Sequence, residues 1–166
     1  GCAVLDKMYK KKIPERADIV LVSQGGAPKD LNLYQTQKAL ENAKNAVRPG
    51  GIVILVGSCK EGMGERVFEE WMITGKSPES IIERIQRDFR LGGHKAAAIS
   101  LVLRNARIFL VSEMKADFVR SIFMTPFSSV QDAMDAAFRE LGDRATVWAM
   151  PFGGSTLPVV ETRPSP

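Results

Sequence analysis

The chain has 166 residues, 45% of them hydrophobic, 25% charged and 7% aromatic, figures ordinary for a globular domain. A chain of this length buries roughly 70% of the surface it exposes when unfolded, which excludes a small scaffold dependent on disulfides or metal. Its longest apolar runs fall far short of the ~20 residues of a membrane span. Lys and Arg number 23 against 19 Asp and Glu, a net charge of +4, and the basic run from Lys7 to Lys12 lacks paired base-reading side chains. Neither nucleic acid nor a membrane is expected as a partner.

In chain order, Gly1 to Asp6 lack the order of a signal peptide and read as a chain entered midway. Cys2 and Cys59 form no CxxC, which fits a reducing cytoplasm. The lysine run reads as an edge strand that its charges keep from pairing. Ala17 to Ser23 is a nearly continuous β-branched run, the pattern of a strand buried on both faces. After the turn 24–30, Leu33, Leu40, Ala43 and Val47 recur at helical spacing, with Asp30 or Asn32 as the cap, and Pro49-Gly50-Gly51 is expected to end that helix. Residues 52–56 repeat the strand pattern, completing a βαβ unit and so a parallel pair.

The glycine-rich loop 57–64 follows. A short helix is expected over 65–72, and Ser77-Pro78-Glu79 opens another that runs to Phe89. Gly92-Gly93 interrupt, a helix resumes over 94–105, and 107–112 is a strand. Ser129 with Asp132 resembles a capping box for a helix ending at Gly142. Residues 145–150 are the last strand expected. The reading is α/β: a Rossmann-like three-layer α/β/α fold with a mostly parallel sheet, one domain over 1–162 and a frayed tail over 163–166.

In such a fold ligands bind at the carboxyl edge of the sheet, beside helix N-termini whose N–H groups attract anions. The loops 24–30, 58–64 and 151–158 and the segment after Ser112 lie there. The first leads into Tyr34, Gln35 and Lys38, which share one helix surface at spacings of three and four. A lysine supplies charge and a glutamine orientation, as a carboxylate or phosphate requires; an ordinary solvent face has the same spacing. Gln35 is also placed to complete a capping box from Asn32. His94 is the sole histidine, so it cannot form an acid/base pair with a second one. Cys59, just past a strand end, reads as a small buried hydrophobe. Gly153-Gly154-Ser155-Thr156 is either an anion nest or a plain glycine turn. No GxGxxG follows a strand, and GxSxG and HExxH are absent.

The stretch from Ala17 to Leu40, with Ser23-Gln24-Gly25-Gly26-Ala27-Pro28-Lys29-Asp30 and Tyr34-Gln35-Thr36-Gln37-Lys38 at its centre, resembles the C-terminal domain of the nickel-dependent lactate racemase family. The likeness continues through Arg48-Pro49-Gly50-Gly51, residues 58–64, Leu91-Gly92-Gly93-His94-Lys95-Ala96 and residues 153–158. The resemblance implies a two-domain 2-hydroxyacid racemase or epimerase. Its cofactor is a nickel-pincer nucleotide, a pyridinium bisthiocarboxylate mononucleotide carrying nickel. The N-terminal domain of the same polypeptide anchors that cofactor and supplies the metal-binding and catalytic histidines. It implies no catalytic or metal-ligating residue in this chain and no turnover by the chain alone.

By the same resemblance, Tyr34, Gln35 and Lys38 face the substrate, with Lys38 on its carboxylate. His94 stands where lactate-specific relatives carry tryptophan, pointing to a larger or more polar hydroxyacid. Gly25, Gly26 and Lys95 are expected toward the cofactor side of the cleft. The competing readings are an S-adenosylmethionine-dependent methyltransferase, from the turn at Arg48-Pro49-Gly50-Gly51, and a non-catalytic docking or oligomerisation domain.

Overall fold

The computed structural model describes residues 9–161; the expectations for Gly1 to Asp6, Cys2 and the tail 163–166 lie outside them. The elements are β1 (Lys10–Ile13), β2 (Ala17–Ser23), α1 (Leu33–Thr36), α2 (Lys38–Ala43), β3 (Val47–Val56), α3 (Arg66–Thr74), α4 (Pro78–Arg87) and α5 (Gly93–Leu103). They continue with β4 (Arg107–Val111), α6 (Ala116–Ser121), β5 (Thr125–Phe127), α7 (Val130–Leu141), β6 (Val147–Met150), a 3-10 turn (Gly153–Ser155) and β7 (Leu157–Val160). The main sheet has the order β5-β4-β3-β2-β6, with every pairing parallel. The expected α/β architecture is what the chain forms. Among the described residues no helix is long and apolar enough to cross a membrane.

Successive strand side chains point to opposite faces, and both faces of this sheet are covered. Ile19, Ile52, Ile54 and Phe109 pack with Ala133 and Ala137 of α7. Val20, Val22, Val53, Leu55 and Leu110 join Leu40, Phe68, Trp71 and Ile99 on the other side. The helix starts follow their sequence signals. Ser77 and Ser80 form a reciprocal capping box with Pro78 in the first turn, and the Ser129 hydroxyl accepts from the Asp132 amide. α5 has no side-chain cap. Its start rests instead on Gly93, where a Cβ would stand 2.8 Å from the Trp71 ring.

Several expectations are corrected. The helix read from Leu33 to Val47 is two short helices, and Val47 already belongs to β3. Pro49-Gly50-Gly51 therefore ends no helix; it lies inside β3, where the register with β2 jumps between Ala17 and Ile19. A Cβ at Gly51 would lie 2.6 Å from the Asp18 carbonyl oxygen, so only glycine fits this close approach. The turn invoked for a methyltransferase is thus part of a strand. The lysine-bearing strand β1 is exposed, yet it pairs in parallel with β7, because the Glu161 amide bonds the Ile13 carbonyl and Glu161 lies 3.6 Å from Lys12. β6 is not the last strand, and α6 and β5 fill a stretch with no expected element.

At the amino edge, Asp18 ties β2 and β3 to the start of the edge strand β6. Its carboxylate accepts from the Thr146 amide and hydroxyl, both at 2.7 Å, just before β6, and pairs with Arg48 of β3. The Thr146 hydrogen bonds, then Arg48, hold its pKa down at about 2 from the usual 3.8. The folded state therefore binds this proton less readily than the unfolded chain. The stabilisation is complete above about pH 4 and is lost as pH falls toward 2. With the side chain 22% exposed, Asp18→Ala is expected to cost on the order of 1 kcal/mol at pH 7. The loss shrinks as pH falls toward 2 in urea titrations; an unchanged difference between pH 7 and pH 2 would refute this account.

Candidate functional site

Strand order reverses at β2, whose neighbours are β3 on one side and β6 on the other. The loops leaving β2 and β6 thus flank the topological switch point, where open parallel sheets bind ligands. After β2, Gly25 and Gly26 take φ of +102° and +75°, and the Ser23 hydroxyl accepts from the Gly25 amide at 3.0 Å. The loop after β3 clasps the segment before α1: the Cys59 amide bonds the Asp30 carbonyl at 2.9 Å, and the Glu61 amide bonds that of Leu31 at 2.8 Å. Asp30 does not cap the helix; its side chain accepts from the Ser58 amide.

Asn32 is the cap of α1, accepting from the Gln35 amide at 3.1 Å. The next orphan donors are also taken. The amides of Leu33 and Tyr34 bond the carbonyls of Gly62 and Met63, at 2.9 and 3.1 Å. This corrects the expectation that backbone N–H groups at this helix start would attract an anion, and it leaves that task to side chains.

Gln35 does not close a capping box. Its Oε1 accepts from Lys38 Nζ at 2.5 Å. That leaves the amide Nε2 and two ammonium protons of Lys38 to donate outward. Lys38 is exposed and Gln35 partly so. Tyr34 is half-buried, its ring edge-on to Phe68 at 5.7 Å. The structure thus joins Gln35 to Lys38 directly and seats Tyr34 beside them against the core.

His94 lies in the first turn of α5, half-buried and stacked on Phe89 at 6.2 Å. Its Nδ1 accepts from the Gly92 amide at 3.2 Å, so the neutral ring carries its proton on Nε2. Lys95 is largely covered, and its ammonium pairs with Glu41 Oε1 at 2.8 Å. Glu41 stands three residues beyond Lys38 on α2, so this ion pair fastens the start of α5 to the helix that carries Lys38.

On the β6 side, sequence reasoning placed the loop 151–158 at this edge but did not single out Phe152. Gly25 faces Phe152, to whose Cδ1 a Cβ would come within 3.0 Å, and Phe152 is 59% exposed. Gly153 packs on Val22 and Ala39, and its carbonyl accepts from Asn42 Nδ2 at 2.6 Å. Between the two readings of residues 153–156, the glycine turn holds. The hydroxyls of Ser155 and Thr156 both donate back to the Phe152 carbonyl. Cys59 is buried as expected, with desolvation pushing its thiol up to about 11 against the opposing pull of the Thr36 hydrogen bond. Among the described residues no group of three or more His, Cys, Asp or Glu side chains is placed to hold a metal ion.

Comparison with known proteins converges on one family. The lactate racemase C-terminal domain family matches residues 12–157. A lactate racemase of Thermoanaerobacterium thermosaccharolyticum is 30% identical over 146 residues, covering 85% of this chain and 34% of that protein. A lactate racemase of Lactiplantibacillus plantarum is 25% identical over 141 residues, covering 82% and 33% respectively. Among solved structures, the lactate racemase apoprotein from T. thermosaccharolyticum superposes with a TM-score of 0.89 at 25% identity, over 98% of this chain and 39% of that one. A Thermotoga maritima protein shares the fold, with a TM-score of 0.66 at 12% identity over 96% of this chain and 41% of that one. The chain spans about a third of the length of the curated relatives it matches.

Proposed function

The chain belongs to the lactate racemase C-terminal domain family, and on that premise we propose that it forms the substrate-facing wall of a 2-hydroxyacid racemase or epimerase. The observation that carries this reading is the bonded pair Gln35–Lys38 at the switch-point edge. An ammonium beside an amide N–H presents two kinds of donor to the two oxygens of a carboxylate, and a charged donor makes the stronger bond. Gripping the carboxylate fixes the rotation of the rest of a small hydroxyacid, so that its C2 hydrogen meets the reacting groups in one orientation. Tyr34 lines the same surface.

Its remaining assignments rest on family likeness. The nickel-pincer nucleotide belongs to the N-terminal domain of the same polypeptide. When bound there it supplies a reversible hydride acceptor, and the described residues of this chain offer it no metal-ligand set. Gly25 and Gly26 line the cleft on the cofactor side. Lys95, engaged by Glu41, contributes there by bracing α2. His94 offers an Nε2 donor and a stacked ring face toward the far end of the substrate, which favours a hydroxyacid larger or more polar than lactate.

The test is to assay single enantiomers of 2-hydroxyacids with the whole polypeptide and with the chain alone. Interconversion is expected only with the whole polypeptide. Turnover by the chain alone, or none by the cofactor-loaded whole, would sink the reading.

A further inference from the structure

The segment that carries Tyr34, Gln35 and Lys38 is broken at Gln37, and what holds the break is unusual. Three polar side chains of the described core are fully shielded from water: Thr36, Gln37 and Ser100. Two of them are ordinary. The hydroxyls of Thr36 and Ser100 donate back to the carbonyls four residues earlier, at 2.8 Å each, the usual way helical hydroxyls are satisfied. Gln37 is 0% exposed; its Nε2 donates to the Tyr34 carbonyl at 3.2 Å, while its Oε1 is buried with no partner. A buried acceptor left bare disfavours folding, and an apolar side chain of the same size would avoid that cost. Stability alone does not account for a glutamine here.

The bond that the amide does make accounts for it. In an unbroken helix the amide of residue 38 would bond the carbonyl of residue 34. Here the Gln37 side chain holds that carbonyl. The Leu40 amide turns to the Gln37 carbonyl at 2.9 Å, and α2 begins afresh at Lys38. Gln35 and Lys38 lie on opposite sides of this break, so the backbone step at Gln37 sets how ammonium and amide meet.

We propose that Gln37 is a positioning residue. By holding the Tyr34 carbonyl, its buried amide keeps α1 and α2 from joining into one helix and fixes Lys38 against Gln35. The inference rests on the reading that this pair grips the substrate carboxylate.

The test uses Gln37→Met and Gln37→Leu in the whole polypeptide, beside Lys38→Ala. Both Gln37 variants should fold with a Tm equal to or above that of the parent. Their crystal structures should show the break closed and the Gln35–Lys38 bond lost. KM for the hydroxyacid should rise about ten-fold, the equivalent of one ordinary hydrogen bond, with kcat changing much less. A lower Tm with unchanged KM, failure of both variants to fold, or an intact break and Gln35–Lys38 bond in the variant structure would each overturn the proposal. If Lys38→Ala leaves KM unaltered, the carboxylate reading fails, and the variant structures still decide whether Gln37 sets the geometry.

Discussion

Lys38→Ala in the whole polypeptide is expected to lower kcat/KM for the 2-hydroxyacid about 100- to 1000-fold, the equivalent of roughly 3 to 4 kcal/mol for truncating one partner of a charge-paired contact. Most of the loss should appear as a higher KM, because a carboxylate grip acts on the bound substrate as well as on the transition state. Lys38→Arg should recover only part of it. The guanidinium keeps the charge, but its planar fork is longer and does not reproduce a point charge seated on Gln35. Following one enantiomer by chiral chromatography gives both constants. Kinetics within two-fold of the parent would instead favour a docking domain with no substrate contact.

Trp71→Ala is expected to destabilise the chain by about 3–5 kcal/mol, the usual cost of emptying a site this large, and to lower Tm by about 10 °C for a domain of this length. Trp71 is fully buried. Gly93 packs on its ring, and the Arg84 guanidinium lies 4.3 Å from the ring centroid, so three helices lose their common contact. Trp71→Phe should cost far less than alanine, since it keeps most of the apolar volume and removes a buried indole N–H that has no acceptor. Thermal and urea unfolding of both variants checks the order; phenylalanine as damaging as alanine would refute it.

Much of the fold was legible because the signals were local. The β-branched runs of β2 and β3 and the caps at Ser77 and Ser129 each lie within a few residues of the structure they specify. What was missed depends on distant partners. Leu33, Leu40, Ala43 and Val47 satisfy a helical period, but Val47 pairs with Ala17 as a strand. β5 is three residues with a central proline, tolerated because it is an edge strand, and β1 pairs with β7, near the other end of the chain.

The site divides in the same way. Lys38 and Gln35 are three apart, so their meeting follows from helix geometry. Glu41 and Lys95 are 54 residues apart, and Asn42 and Gly153 are 111 apart. No periodicity reports either pair, nor the capture of the α1 amides by Gly62 and Met63.

The order β5-β4-β3-β2-β6 also carries a timetable. β2 is made early, yet one of its flanks is completed only by β6, with Asp18 waiting for Thr146, 128 positions later. During synthesis the backbone of residues 19–22 offers an open hydrogen-bonding rim on that side, ready to recruit another nascent chain. The same late event delivers Gly153 to Asn42. On the ribosome, the helix bearing Lys38 emerges long before the turn that braces it, and its final stiffness arrives with the last strands of the domain.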